Sequence, residues 1–167
     1  LLCALIGIVI TVQTAAQLSL AAQQRAFGWR HSAGFYPVET HGTLPVRYTQ
    51  QHASEHVSCD GLQFVQPWAC FHANITGAPV QVTFSLGLVR TNVIAADNAW
   101  HTLILPVPES MLGQTLEYQV ATSRTWTGRE LGLNYDTRAL GVALQPAAWE
   151  SRSEERRVGK ECTEQCR

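Results

Sequence analysis

From Gly28 onward the apolar positions alternate with polar ones over short stretches, whereas before it they cluster without alternation. The clearest case is Val80 to Leu86, where Val80, Val82, Phe84 and Leu86 fall on one face of an extended chain and Gln81, Thr83 and Ser85 on the other. The first face belongs in a core and the second against water. Comparable runs cover Val46 to Thr49, Gly61 to Val65, Trp68 to Ile75, Val80 to Leu88, Trp100 to Val107, Thr115 to Ala121 and Leu140 to Leu144. They are rich in Val, Thr, Leu and aromatics and are punctuated by Gly, Pro, Asn or Asp, which predicts strands joined by turns. His31 to Gly42 carries Gly34, Pro37 and Gly42 and reads as an extended lead-in with turns. The run from Trp100 stops at Pro106 and Pro108, as an edge strand or a strand end would. Ala95 to Ala99 predicts a turn, and Glu109 to Gly113 a turn or a short helical turn. Only Pro108 to Gly113 and Ala147 to Glu155 offer helical windows, too little to cover a parallel sheet. The expected fold is therefore all-β, a jelly-roll or immunoglobulin-like antiparallel sandwich over residues 28–150.

Residues 1–27 follow another pattern. LLCALIGIVITV is an apolar run, followed by Ala, Leu and Gln with no Gly or Pro before Gly28. As one helix, residues 1 to about 24 would reach about 36 Å. The uninterrupted apolar part is shorter than the roughly twenty residues a bilayer crossing needs. A buried soluble helix and a secretory signal are the rival readings, although no basic patch precedes the run. The preferred expectation is the end of a truncated transmembrane helix, emerging through Gln13, Gln17, Gln23 and Gln24, with Arg25, Trp29 and Arg30 near the interface. Membrane lipid, and the missing upstream membrane region of the same protein, would then be its partners.

Charge narrows the choice further. Charged residues make up 15% of the chain, against roughly 25% in an average soluble domain. The formal net charge is -1, and between Gly28 and Glu150 there are six Arg, no Lys and nine acidic residues. No basic patch is available to hold phosphates, so nucleic acid is not an expected partner.

No GxSxG, HExxH, P-loop or GxGxxG occurs, so no catalytic residue and no cofactor is expected. His52 and His56 flank Glu55, but QQHASEHVSCD reads as a solvated connection without a third ligand, and no metal site is expected. Glu39, Arg47, Asp136 and Arg138 flank expected strands and are candidates for ion pairing or ligand contact. Two carboxylates about 5 to 9.5 Å apart across a groove would instead suit glycoside hydrolysis. Of the aromatics Phe35, Tyr36, Tyr48, Trp68, Phe71, Trp100, Trp126 and Tyr135, some must fill the core. Trp126, in the polar run Thr122 to Arg129, is the candidate for an exposed sugar-binding face, with a plug at the end of the sandwich as the alternative. Cys59 and Cys70 are the candidate disulfide, across an antiparallel pair, which would stabilise the domain by about 2 to 3 kcal/mol. Cys162 and Cys166 lack a second ligand pair for zinc, and Asn74-Ile-Thr76 is an acceptor sequon relevant only in a secretory eukaryotic setting.

Four short motifs occur in order: Gly34-Phe-Tyr-Pro-Val-Glu39, Arg47-Tyr-Thr49, Trp100 ahead of a strand ending in Pro, and Asp136-Thr-Arg-Ala-Leu-Gly-Val-Ala143. Together they resemble the C-terminal extracytoplasmic β domain of bacterial multi-pass membrane proteins, glycosyltransferase-like or uncharacterised. Tyr48 stands where that group usually has Trp. The resemblance implies an outward-facing β domain after a membrane region and assigns no catalysis to Glu39 or Arg138. Ser153 to Cys162 resembles a translated adapter at the end of a metagenomic reading frame, and residues 151–167 are expected to be a non-native or disordered tail. The expected function is a non-catalytic extracytoplasmic accessory domain of a polytopic membrane protein, with glycan as a candidate ligand. Its alternatives are part of a membrane glycosyltransferase whose catalytic region is missing, and a structural domain for protein interaction.

Overall fold

The computed structural model describes residues 32–71 and 78–150. The expected N-terminal helix, the Asn74 sequon and the charged tail lie outside the described residues. No helix among the described residues is long and apolar enough to cross a membrane. The expectation of an all-β fold holds: the strands are antiparallel and form a curled sheet.

Among the described residues ten strands follow one another: β1 (Ala33–Phe35), β2 (Glu39–His41), β3 (Leu44–Ser58), β4 (Gln63–Ala69), β5 (Val80–Leu86), β6 (Val89–Ala95), β7 (Trp100–Pro106), β8 (Thr115–Thr122), β9 (Ala143–Leu144) and β10 (Ala148–Glu150). The sheet runs β10-β4-β9-β3-β8-β5-β6, with β7 on β4 and both β1 and β2 on β3. A 3-10 turn at Glu109–Met111 precedes β8.

The long strand β3 makes the curl. Arg47 and Tyr48 pair with β9, while His52 to Ser58 pair with β8. Between these stretches the pairing with β1 slips, Phe35 facing Thr49 but Ala33 facing Ser54. Such irregularity bends a strand. Gly34 sits at the slip with φ +72°, and a Cβ there would stand 2.0 Å from the His52 carbonyl oxygen, so only glycine fits.

The bend turns the two halves of the sheet toward one core. Trp68 of β4 meets Phe84 of β5 with ring centroids 5.3 Å apart, and Phe64 of β4 meets Tyr118 of β8 at 4.9 Å. Val80, Val82, Phe84 and Leu86 are all fully buried, as the alternation in β5 predicts.

Two expectations need correction, and one strand has no counterpart among the expected ones. QQHASEHVSCD is not a solvated connection: most of it is the second half of β3, with Ala53 and Glu55 inward and His52 and His56 outward. Val89 to Ala95 forms β6, although its polar residues Arg90, Thr91 and Asn92 hide the alternation. The window from Ala147 yields β10 rather than helix, because Ala148 to Glu150 completes the edge of β4.

The Cys59–Cys70 disulfide is the third correction. Cys59 is a free thiol, so the bond is not made. The two residues stand at opposite ends of β4. At about 3.3 Å per residue that strand alone separates them by roughly 20 Å, whereas a disulfide needs its Cα atoms within about 7 Å. Cys59 instead donates to the Gly61 carbonyl at 3.6 Å, and burial pushes its thiol pKa up.

Candidate functional site

Alternation along β3 sends neighbouring residues to different places. Val46 and Tyr48 join Trp126, Leu140 and Ala143 in a second apolar cluster, separate from the main core, with Tyr36, Phe71 and Leu131 packed against it. Trp126 is not exposed as the sequence suggested but buried, locked there by reciprocal backbone hydrogen bonds with Leu140, at 2.9 and 2.7 Å, while its indole N–H donates to Gly141 O at 3.2 Å.

The chain between Trp126 and Leu140 folds back on itself. The N–H of Leu133 donates to Gly128 O and that of Arg129 to Asp136 O, each at 2.9 Å. Asn134 Oδ1 accepts the Asp136 N–H at 2.9 Å. Gly128 is the residue that permits this closure: a Cβ on it would stand 1.8 Å from Asn134 Oδ1.

The loop carries Asp136 and Arg138 to Glu39 at the start of β2. Arg138 grips Asp136 with two sides of its guanidinium, Nε to Oδ1 at 3.0 Å and Nη2 to Oδ2 at 2.6 Å. Its Nη1 donates to Glu39 Oε1 at 2.5 Å. The guanidinium also lies 5.2 Å from the Tyr36 ring centroid. Hydrogen bonds from Arg138 hold the Asp136 carboxyl below its ordinary pKa, and the two carboxylates raise that of Arg138. Burial, then the Glu39 charge, pushes the Tyr48 phenol up to about 12, so it stays protonated at neutral pH.

These residues enclose an open cavity of about 380 Å³. Tyr48, Phe71 and Trp126 give it aromatic walls, with Leu133 and Leu140 beside them. Glu39, Asn98, Asn134, Asp136 and Arg138 supply the polar lining. A cavity of this size falls within the range of about 300 to 1,000 Å³ typical of small-molecule sites, which combine apolar walls with a few fixed polar groups.

Four of the five candidate residues, Glu39, Trp126, Asp136 and Arg138, therefore line one cavity. Arg47 does not. It points inward, 1% exposed, and its Nη2 meets Glu55 Oε2 at 2.7 Å. The Phe35 ring covers it, 3.7 Å from Cζ to the ring centroid. Tyr48, Phe71, Asn98 and Asn134 escaped the sequence reading as site residues. The alternation Val46, Tyr48 was visible, but it does not reveal that this face looks onto a cavity. Among the described residues no group of three His, Cys, Asp or Glu side chains is placed to hold a metal ion.

No protein-family model matches the sequence, and no curated protein matches it.

Proposed function

We propose that the protein binds a glycan in the cavity between Trp126 and the Glu39–Arg138–Asp136 group, as a non-catalytic extracytoplasmic accessory domain of a bacterial membrane protein. The observation that carries this reading is the pairing of aromatic walls with fixed, hydrogen-bonding polar groups in one open cavity. A sugar ring has an apolar C–H face, which packs against Trp126 or Phe71, and a girdle of hydroxyls, which carboxylate, amide and guanidinium groups hold from the side. The tight grip of Arg138 on Asp136 favours holding over proton transfer, since a general acid needs its pKa raised toward neutrality. The domain is read as a sandwich of the jelly-roll or immunoglobulin-like kind. The apolar sequence before Gly28 supports a position beside a membrane.

Titration of the full chain with glucose, galactose, mannose and N-acetylglucosamine and their β-linked oligomers, followed by tryptophan fluorescence and calorimetry, tests the reading. Saturable binding that Trp126→Ala and Arg138→Gln each weaken by about tenfold or more, equivalent to at least about 1.4 kcal/mol, is expected. Binding to none of these sugars at millimolar concentration would sink it.

A further inference from the structure

The cavity is not the end of the aromatic surface. Phe71, in its wall, meets Trp100 at the start of β7 edge-on, with ring centroids 5.8 Å apart. Phe71 lies 6.3 Å from Tyr48, and Tyr48 lies 6.3 Å from Trp126. Four rings thus succeed one another from the inside of the cavity to the surface. The inner two are buried, Trp126 at 7% and Tyr48 at 5% exposed, Phe71 is partly buried, and Trp100 at the outer end is 39% exposed.

Trp100 is held in place at the outer end. Asn98, two residues before it, lines the cavity. Asp97 Oδ1 accepts the Ala99 N–H at 3.0 Å and meets His101 Nε2 at 2.7 Å, which braces the turn on both sides of Trp100. The His101 ring in turn packs on buried Trp68 at 5.2 Å. Along β7, Leu103 and Leu105 point into the core while Trp100, Thr102 and Ile104 point out. Core packing therefore does not account for the outer face of this indole.

Building on the glycan reading, we infer that the site takes a linear oligosaccharide rather than a single sugar, with one unit in the cavity and the next against the exposed face of Trp100. An extended chain of this kind is matched by a row of rings, since every sugar unit presents an apolar face and successive units need successive platforms. The exposed 39% of Trp100 amounts to roughly 100 Å² of a large aromatic side chain. Covering about half of that with sugar C–H groups corresponds to about tenfold in Kd.

The test uses the full chain and two probe series, β-1,4-linked glucose and β-1,4-linked N-acetylglucosamine, each from one to four units. In at least one series affinity should rise about tenfold or more between the monomer and the trimer. Trp100→Ala should remove that rise and leave the monomer's affinity unchanged, while Trp100→Phe keeps most of it. Tyr135→Ala, altering a side chain 97% exposed and outside the row, should leave the rise intact. Far-UV circular dichroism confirms that each variant folds, and a misfolded Trp100→Ala leaves Trp100→Phe and the length series of the native chain to decide. Binding that is independent of length, or a rise that survives in folded Trp100→Ala, would overturn the inference while the glycan reading stands. Binding by no member of either series overturns the inference, and the glycan reading falls with it only if galactose, mannose and their oligomers also fail to bind.

Discussion

Glu55→Ala strips the carboxylate from a guanidinium that is almost wholly enclosed, the side chains of Arg47 and Glu55 being 1% and 7% exposed. Truncating one partner of a buried ion pair costs about 3 to 5 kcal/mol, because the remaining charge keeps its desolvation cost and loses its compensation. Against a total stability of about 5 to 15 kcal/mol, that is a large fraction. Arg47→Met together with Glu55→Leu should behave differently. Both charges leave, apolar volume replaces them, and such exchanges range from neutral to about 4 kcal/mol stabilising. The double variant should therefore be more stable than either single one.

The pH dependence separates this account from simple packing. Burial raises the Glu55 pKa, and the Arg47 charge and hydrogen bond only partly oppose it. The folded state then holds its proton to higher pH than the unfolded chain does. Its contribution is fully present below the unfolded value, near 4.3, and is lost as pH rises through the folded value. Urea unfolding of the native chain and the double variant, measured across that interval, is the assay. The difference in stability should grow in favour of the double variant as pH rises and then level off. A double variant destabilised by the sum of the two single effects, with no such pH dependence, would refute the reasoning.

Three further outcomes are expected. Tyr118 is fully buried and its hydroxyl makes no hydrogen bond among the described residues; Tyr118→Phe should stabilise the fold by roughly 1 kcal/mol in urea unfolding, since burying an unsatisfied hydroxyl costs about 1 to 3 kcal/mol. Gly128→Ala drives a Cβ into Asn134 Oδ1, so sugar affinity should fall while the thermal midpoint moves little, the displaced groups lying in a surface loop; unchanged affinity would show that the loop closure does not shape the site. The Asp136 pKa is lowered by its bonds from Arg138, so its contribution is present above the ordinary aspartate value near 3.9 and is lost as pH falls through the lower folded value. Calorimetry should find sugar binding flat between about pH 5 and 8 and weakened only below about pH 4.

The strand content was legible where alternation is strong. Val80 to Leu86 reads as β5 from its side chains alone, and Trp100 to Pro106 ends where its prolines remove backbone donors. His52 to Ser58 misled because Glu55 occupies an inward position. A charge at a core position breaks the apolar period, and its partner Arg47 lies across the bend of the same strand, beyond any local window. Val89 to Ala95 has no strong strand signal for a related reason, since at the edge of the sheet its inward residues are mostly half-buried. Glu39, Asp136 and Arg138 stood out because charge is scarce in this chain. That Glu39 reaches Arg138, 99 residues further on, is decided by the path of β3 and by the Trp126–Leu140 bridge, neither of which leaves a local signature.

The site gains from this division of labour along β3. Arg47 and Tyr48 are neighbours in sequence, yet one is committed to the main core and the other to the cavity wall. The wall is therefore anchored by a strand bonded on both edges, to β2 and to β9. The opposite wall hangs on a loop, but the loop is closed by the Trp126–Leu140 bonds at its base and by the Arg129–Asp136 and Leu133–Gly128 bonds within it. The Arg138 guanidinium then bridges the loop's Asp136 carboxylate and Glu39 and so joins loop to sheet. Groups fixed in this way lose little further freedom when a ligand arrives, and the ordering cost that usually weakens loop-built sites is largely met in folding. Affinity at such a site depends on what the rings and carboxylates touch, which is why length dependence and single-ring substitutions are informative tests of it.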